Sequence, residues 1–244
     1  MKTATKLILL FKDGVSSGEG FASLISKSLL PNTNSNLRRL EDSFELSLDK
    51  YGINDHKASG NLIHFLGNNG VYEVSILRLE YYETPILACA LNELLALLVG
   101  ENPNIPTFVV PFLVEASKLK LENKNSITTY DVSLYGLEFG PVNTSTQALG
   151  SKTQRPPKSL RIYDEQLACL VRVVGVLDIP TFVLVGQHAR HISPNTLNED
   201  LEVIYEMGHH LANYSSLSFK KERIVWNPPM SLRIREEPWR ALYG

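Results

Sequence analysis

The chain has 244 residues and a formal net charge of −2, with 43% hydrophobic and 20% charged residues. This length suits one large domain or two small ones, and the composition is that of an ordinary soluble globular protein with an ample core. The near-neutral charge argues against a nucleic-acid-binding protein held by phosphate contacts, because it supplies no strong positive field.

The first apolar run, residues 7–11, is short and is followed at once by charged residues. It is too short for the hydrophobic region of a signal peptide and instead predicts a buried strand at residues 6–11. No stretch approaches the ~18 apolar residues of a membrane-spanning helix, so we expect no membrane association. Cys89 and Cys169 lie in apolar helical patterns. Both are predicted to be buried free thiols in a reducing compartment.

A glycine-containing loop follows the first strand, with Gly14, Gly18 and Gly20 ahead of a predicted helix. Ser16 and Glu19 have the spacing of a capping box at the start of that helix. Such loops often bind phosphate, but the glycine spacing fits neither the dinucleotide fingerprint nor the P-loop. A phosphate site and an ordinary glycine-rich turn both remain open. The apolar positions of the helix fall on one face: Phe21, Leu24, Ile25 and Leu29.

An antiparallel element is predicted next. Residues 44–48 alternate between apolar and polar, which indicates a half-buried strand. Asn68-Asn69-Gly70 then separates two apolar runs, residues 61–67 and 71–79. Asn-Gly between two such runs is a strong signal for a β-hairpin.

Two similar helix–strand units follow. Residues 86–99 predict a helix leading to a strand at 105–110, and residues 164–177 predict a helix leading to a strand at 179–185. Both helices contain Leu-Ala-Cys, and both strands open with Ile-Pro-Thr-Phe-Val. The likeness fits either an internal duplication or two separate instances of the same arrangement, in which a helix leads into a buried parallel strand. The near-continuous apolar runs predict strands covered on both faces.

The remaining segments complete the prediction. We expect a strand within residues 128–139, an exposed loop over 140–158, an amphipathic helix around 201–211 and a short final strand at 223–226. The sum is a single three-layer α/β domain with a mixed, mostly parallel sheet over residues 1–226. An extended C-terminal tail, residues 227–244, follows it.

The best enzymatic candidate is the loop Gly186–His191, which contains His188 and Arg190 and follows the strand at 179–185. Loops at the carboxyl ends of parallel strands are where α/β proteins place ligand sites. No G-x-S-x-G elbow supports a serine hydrolase. We therefore predict no catalytic residues and no cofactor.

A metal site is not predicted either. His209 and His210 are adjacent on a helix, where neighbouring side chains point apart. Glu202 and Glu206 form a like-charged pair four residues apart, which favours a solvated face over an acid/base pair. The histidine spacings fit no common zinc pattern.

The last three residues, Leu242, Tyr243 and Gly244, form the most informative motif. They follow residues 227–241, where three prolines interrupt regular structure, so the ending is expected to be free to enter a partner. Leucine can fill an apolar notch, and tyrosine adds ring area and a hydroxyl. A carboxylate on Gly244 can pair with a basic residue in a pocket.

This ending resembles the hydrophobic-tyrosine-any tail with which proteasome activators and assembly chaperones enter pockets of the proteasome α-ring. The resemblance implies a nucleoside-phosphorylase-like α/β fold and a non-enzymatic chaperone of core-particle assembly, located in the cytoplasm or nucleus. It also implies two kinds of partner: proteasome α-subunits and a second assembly chaperone in a heterodimer. Only Leu242, Tyr243 and Gly244 match a motif, and they are the predicted partner-binding residues.

Three alternatives stay open at this point. The ending can arise by chance at a disordered terminus. The chain can be a nucleoside phosphorylase- or hydrolase-like enzyme that uses the loop Gly186–His191. It can also be an α/β interaction module with another partner.

Overall fold

The computed structural model describes residues 1–14, 20–100, 105–115, 118–121, 134–158, 160–188 and 194–226. Its helices are α1 (Phe21–Ser28), α2 (Ile86–Gly100), α3 (Thr144–Gly150), α4 (Glu165–Leu177) and α5 (Pro194–Ser215). Its strands are β1 (Lys6–Phe11), β2 (Leu29–Leu30), β3 (Arg38–Leu48), β4 (Ile53–Leu66), β5 (Tyr72–Leu79), β6 (Thr107–Glu115), β7 (Leu119–Leu121), β8 (Leu134–Phe139), β9 (Leu160–Ile162), β10 (Thr181–His188) and β11 (Ser218–Phe219).

The main sheet contains seven strands among the described residues, in the order β3-β4-β5-β1-β6-β10-β8. The four central strands β5, β1, β6 and β10 run parallel. Antiparallel strands extend the sheet at both edges. The mixed sheet with a parallel core is therefore confirmed. Strand β2 pairs with β11, and β7 pairs with β9, in separate two-stranded ladders.

Helices cover both faces of this sheet. Leu7 and Leu9 of β1 belong to a buried cluster that also contains the inner residues of α2 and α4. Ile8 and Leu10 belong to a second cluster, shared with α1 and α5. Successive side chains of a strand point to opposite faces, so an unbroken apolar run serves two cores. The predicted three-layer α/β architecture is confirmed.

The predicted hairpin is also confirmed. Strands β4 and β5 pair antiparallel, from Gly60 opposite Leu79 to Leu66 opposite Tyr72. Gly70 in the connection has a φ of 74°, a left-handed conformation that glycine adopts without a steric penalty. The turn thus uses the left-handed glycine that the Asn-Gly sequence predicts.

The two Ile-Pro-Thr-Phe-Val strands begin and end later than predicted. β6 and β10 start at Thr107 and Thr181, one residue after each proline, because proline cannot donate to the ladder. Both strands also run further, to Glu115 and His188. β6 continues straight through Pro111.

Two secondary-structure predictions were wrong. The segment predicted as an exposed loop contains helix α3, whose start is fixed by a capping box between Asn143 and Thr146. The Asn143 side chain accepts hydrogen bonds from the Ser145 and Thr146 backbone N–H groups, each at 3.0 Å. The predicted final strand at 223–226 is absent from the described residues, and a 3-10 turn occupies Lys221–Arg223 instead.

Several predictions fall partly or wholly outside the described residues. The capping box of Ser16 and Glu19, residues 128–133 of the strand predicted within 128–139, and residues 227–244 lie there. Of the described helices, none is both long and apolar enough to cross a membrane.

Both cysteines are free, as expected. Cys169 is buried in α4, and burial raises the pKa of its thiol. Cys89 was predicted to be buried but is only half-buried. It packs at the border of a small cluster formed by Leu48 of β3, Ala58 of β4 and Ala90 of α2, which leaves part of it uncovered.

A buried hydrogen-bond chain ties the N-terminal segment to the hairpin. The Ala4 N–H donates to Ser75 Oγ at 2.9 Å, and Ser75 Oγ lies 2.9 Å from His64 Nδ1. The His64 ring also stacks on Tyr72, with ring centroids 4.4 Å apart. Burial lowers the pKa of His64, against a smaller opposing effect of Asp42.

Acidification is therefore expected to destabilise the fold. The pKa of His64 is lower in the folded protein than in the unfolded chain, so its contribution is complete above about pH 6.5 and is lost as the pH falls below that value. Burial shifts the pKa of His210 in the same direction. The raised pKa values of Asp13 and Glu206 act in the opposite sense, but carboxyl groups titrate mainly below this range. Urea unfolding of the parent should therefore give a lower free energy at pH 5.5 than at pH 7.5. His64→Gln should weaken this dependence, whereas His56→Gln, at an exposed position, should preserve it. If the free energy of unfolding of His64→Gln changed with pH as that of the parent does, His64 would be excluded as a source of the pH dependence.

Candidate functional site at the carboxyl edge of the sheet

The parallel core splits between β1 and β6. Their pairing stops at Ile8 opposite Val109, although β1 continues to Phe11 and β6 to Glu115. The other neighbours stay paired to the ends of both strands. A slot therefore opens at the carboxyl edge of the sheet.

Pro111 explains where the slot begins. The Thr107 N–H donates to Thr5 on the β1 side, and the Phe108 N–H donates to Pro180 on the β10 side. Backbone N–H groups alternate along a strand, so the position of Pro111 faces β1. Proline has no N–H to offer there, and the ladder ends one bond earlier. Phe11 and Phe112 fill the base of the slot, with ring centroids 5.0 Å apart.

A cleft of about 810 Å³ lies over this slot. The ends of β1, β6 and β10 and the segment that follows β5 line it, which agrees with the general placement of ligand sites in α/β folds. Its walls combine aromatic rings and carboxylates. Its lining includes Asp13, Tyr81, Glu115, Lys118, Asp164, His188 and Trp226.

Asp13 is the most constrained group in the cleft. Its Oδ2 accepts the Phe21 N–H at 2.7 Å and so caps α1, whose own N-cap residue Gly20 has no side chain to do this. A Cβ atom at Gly20 would collide with the Asp13 carboxylate. Burial raises the pKa of Asp13, against the opposing effects of the Phe21 N–H and of His188.

The glycine-rich loop has packing reasons for two of its glycines. Gly20 leaves room for Asp13, and a Cβ atom at Gly14 would lie 2.6 Å from the Tyr81 ring. Gly18 lies outside the described residues. Packing thus accounts for both described glycines without a phosphate.

The predicted loop Gly186–His191 is only partly in the cleft. Gly186 is still within β10, where a side chain would collide with Val203 of α5. His188 ends β10 and lines the cleft, close enough to Asp13 to influence its charge. Arg190 and His191 lie outside the described residues.

The cleft is acidic. Its two described basic groups are Lys118 and His188, and Lys118 already donates to Asp164 at 3.3 Å. The carboxylates that line it are Asp13, Glu83, Glu115, Asp164 and Glu165. Carboxylates accept hydrogen bonds from hydroxyl and ammonium groups, and tyrosine rings stack on planar groups or cations. The arrangement suits a hydroxylated or cationic group better than a phosphate.

No cluster of three or more histidine, cysteine or acidic side chains in the described part of the chain is arranged to hold a metal ion. His209 and His210 do point apart, as predicted. His209 contacts the edge of Phe219 at 5.5 Å, whereas His210 is buried, with Nε2 4.0 Å from Glu206 Oε1. Burial raises the pKa of Glu206, so that carboxylate is less solvated than predicted.

The predicted partner-binding residues Leu242, Tyr243 and Gly244 lie outside the described residues. The described chain ends at Trp226, which lines the cleft, and its Nε1–H donates to Asp200 at 3.4 Å. Asp13 and Glu115 were not singled out from the sequence. Their signal, a lone acidic residue at a strand's carboxyl end, becomes meaningful only when the strand order is known.

A family model described as a domain of unknown function, DUF7894, matches residues 1–244. The chain belongs to the DUF7894 family. No curated protein matches the sequence.

Solved structures resemble this DUF7894 protein at low sequence identity. A protein of unknown function from Corynebacterium glutamicum is 10% identical, with a TM-score of 0.52, over 99% of this chain and 84% of that one. A Mycobacterium tuberculosis proteasome-assembly chaperone homologue is 11% identical, with a TM-score of 0.47, over 97% and 98%. An MTA/SAH nucleosidase is 12% identical, with a TM-score of 0.43, over 88% and 96%. At 10% identity, the likeness to the Corynebacterium glutamicum protein concerns the fold alone.

Proposed function

We propose that this DUF7894 protein is a non-enzymatic chaperone that promotes assembly of the proteasome core-particle α-ring. Its C-terminal residues Leu242, Tyr243 and Gly244 dock into an α-subunit pocket. The globular domain holds α-subunits, and a second assembly chaperone is its heterodimer partner. The protein acts in the cytoplasm or nucleus.

The observation that carries this proposal is the sequence Leu242-Tyr243-Gly244 after the proline-interrupted residues 227–241. The three residues offer an apolar side chain, an aromatic ring with a hydroxyl, and the position of an α-carboxylate. The proposal requires Gly244 to carry the terminal carboxylate. A buried carboxylate is costly without a basic partner, so displacing it should be as damaging as removing the ring.

Tyr243→Ala is expected to weaken binding to isolated α-rings by roughly thirtyfold, because truncating a central interface aromatic costs ~2 kcal/mol or more. One serine appended after Gly244 should also weaken binding, since it keeps the Leu242 and Tyr243 side chains but moves the carboxylate. Surface-immobilised α-rings and a chain tagged at its N-terminus provide the measurement.

Leu232→Ala is the matched control, because it removes an apolar side chain from the same segment but leaves the last three residues intact. It should bind as the parent does, and all variants should share the parent's melting temperature. Parent-like binding by both Tyr243→Ala and the extended chain would mean that the ending is a chance event.

One observation favours a second candidate, a nucleoside phosphorylase- or hydrolase-like enzyme. The cleft places Asp13, with a raised pKa, near His188 at the carboxyl edge of parallel strands. Perturbed acids in clefts are common at catalytic sites, because a raised pKa suits proton donation near neutral pH. However, Asp13 also accepts the hydrogen bond that caps α1 at Phe21. This structural role accounts for the position of Asp13 without any catalytic role.

We expect no turnover of purine or pyrimidine nucleosides by the purified protein, with or without phosphate. Chromatographic detection of free base over several hours at micromolar protein measures this. Robust turnover that is abolished by His188→Ala or His191→Ala would replace the chaperone proposal with the enzymatic one.

A further inference from the structure

The outer faces of the two helical layers differ in chemistry. Helix α2 has two polar residues, Asn92 and Glu93, in its fifteen positions, and α4 has three polar residues in thirteen. Helix α5 on the other layer is rich in charged and amide side chains. A surface helix normally carries a polar outer face. The α2–α4 layer has few polar residues on its outer face, and Val176 of α4 is 83% exposed.

Four residues form a stripe along the outer face of α4: Glu165, Ala168, Arg172 and Val176. They are spaced by three, four and four positions, so they lie on one side of the helix. Arg172 and Val176 are exposed, as is Glu165, which also borders the cleft and lies 3.5 Å from the Thr84 hydroxyl, and Ala168 is half-buried. With a rise of about 1.5 Å per residue, the negative and positive charges lie roughly 10 Å apart along the axis. The stripe thus has one charge of each sign on either side of a small residue.

We propose that two copies of this chain pair through the outer faces of their α4 helices, which run antiparallel about a two-fold axis near Ala168. In that arrangement Glu165 faces Arg172 of the partner subunit, and Arg172 faces Glu165 of the partner subunit. Each contact occurs twice, as two-fold symmetry requires. Alanine at the crossing lets the helix axes approach closely.

The ends of the stripe fit the same arrangement. Val176 extends past the ion pair towards the beginning of the partner's α4. Tyr163 lies just before α4 and is 53% exposed. In the register that pairs Glu165 with Arg172, Val176 reaches the segment just before α4 of the partner subunit, where Tyr163 of the partner subunit lies, at both ends. Two exposed side chains, one apolar and one aromatic, are covered together in this arrangement.

The charge pattern selects a second copy as the occupant. Charges of opposite sign on one stripe complement the same stripe only when it is reversed, and a parallel pairing would set like charges opposite each other. This inference goes beyond the proposed function. It concerns the globular domain and involves neither the C-terminal residues nor proteasome subunits.

Sedimentation velocity of the full chain over a range of concentrations tests it. The parent should form dimers at micromolar to tens-of-micromolar concentrations. Glu165→Arg and Arg172→Glu should each weaken dimerisation by about tenfold or more, because each sets like charges opposite each other. The double variant Glu165→Arg/Arg172→Glu restores opposite charges and should return to within about threefold of the parent.

Glu202→Arg, a charge reversal on α5, is the matched control and should dimerise as the parent does. Circular dichroism melts show that the variants are folded, and recovery in the double variant separates a lost contact from a lost fold. A parent that stays monomeric at 100 µM would overturn the proposal. A double variant as weak as the single variants would also overturn it.

Discussion

Replacing Phe182 with alanine should lower the free energy of unfolding by about 3–5 kcal/mol, the usual cost of deleting a buried phenylalanine ring. Phe182 is 1% exposed and lies in β10, between β6 and β8 in the main sheet. A Cβ atom on Gly136 would lie 2.6 Å from its Cζ, so the ring fills space that a neighbouring strand leaves vacant. A side chain truncated to a methyl group leaves a cavity that β8 and β10 cannot close without breaking their pairing.

Urea denaturation followed by circular dichroism measures this loss. Phe182→Leu keeps most of the volume and should cost less than half as much. Val71→Ala, at a position 54% exposed in the hairpin, should stay within about 0.5 kcal/mol of the parent. A loss below 1 kcal/mol for Phe182→Ala would mean that the ring does not sit in a close-packed core.

Gly60→Ala is expected to destabilise the protein by about 3 kcal/mol, near the upper end for overpacking, because the added methyl group meets backbone. A Cβ atom at this position would overlap the carbonyl oxygen of Arg78 on β5 and would lie 2.8 Å from the Phe44 ring on β3. Neither neighbour can move freely, since Gly60 lies opposite Leu79 and Phe44 in the two ladders. The substitution should therefore separate β4 from its neighbours at this point.

Gly100→Ala is the control for this effect, because a Cβ atom there meets nothing within 4 Å and the residue is helical. It should be neutral or stabilising by up to about 1 kcal/mol. Thermal and urea unfolding of both variants provide the comparison. Equal effects at the two positions would contradict the close approach of β4 and β5 at Gly60.

Much of the architecture could be predicted from the sequence because the signals are local. The run from Leu7 to Leu10 is apolar at every position, and the fold buries both faces of that strand. Asn68-Asn69-Gly70 specifies its own turn. The mixed sheet followed from combining this hairpin with two helix–strand units.

The errors arose where the signal is either weak or non-local. Asn143 caps α3 through a box with Thr146, which is harder to recognise than a box that ends in glutamate. Pro111 resembles a strand end from sequence alone. It is tolerated within β6 because its missing N–H faces β1, where the ladder has already stopped, and this depends on the strand order.

The acidic cleft could not be predicted for the same reason. Asp13 follows β1 and Glu115 ends β6, more than a hundred residues apart in sequence. Only the parallel pairing of β1 and β6 brings them to one edge. His188 was chosen correctly as a residue at this edge, whereas Leu242, Tyr243 and Gly244 lie outside the described residues and stay a prediction.

Affinity purification of the chain from cells, tagged at its N-terminus, with and without residues 242–244, tests the chaperone proposal most directly. Mass spectrometry of the eluates identifies and quantifies the recovered proteins. The proposal predicts that proteasome α-subunits and a second assembly chaperone accompany the full chain, and that recovery of the α-subunits falls at least tenfold without the three residues. Absence of proteasome subunits from the full-chain eluate, or their equal recovery with both chains, would contradict it.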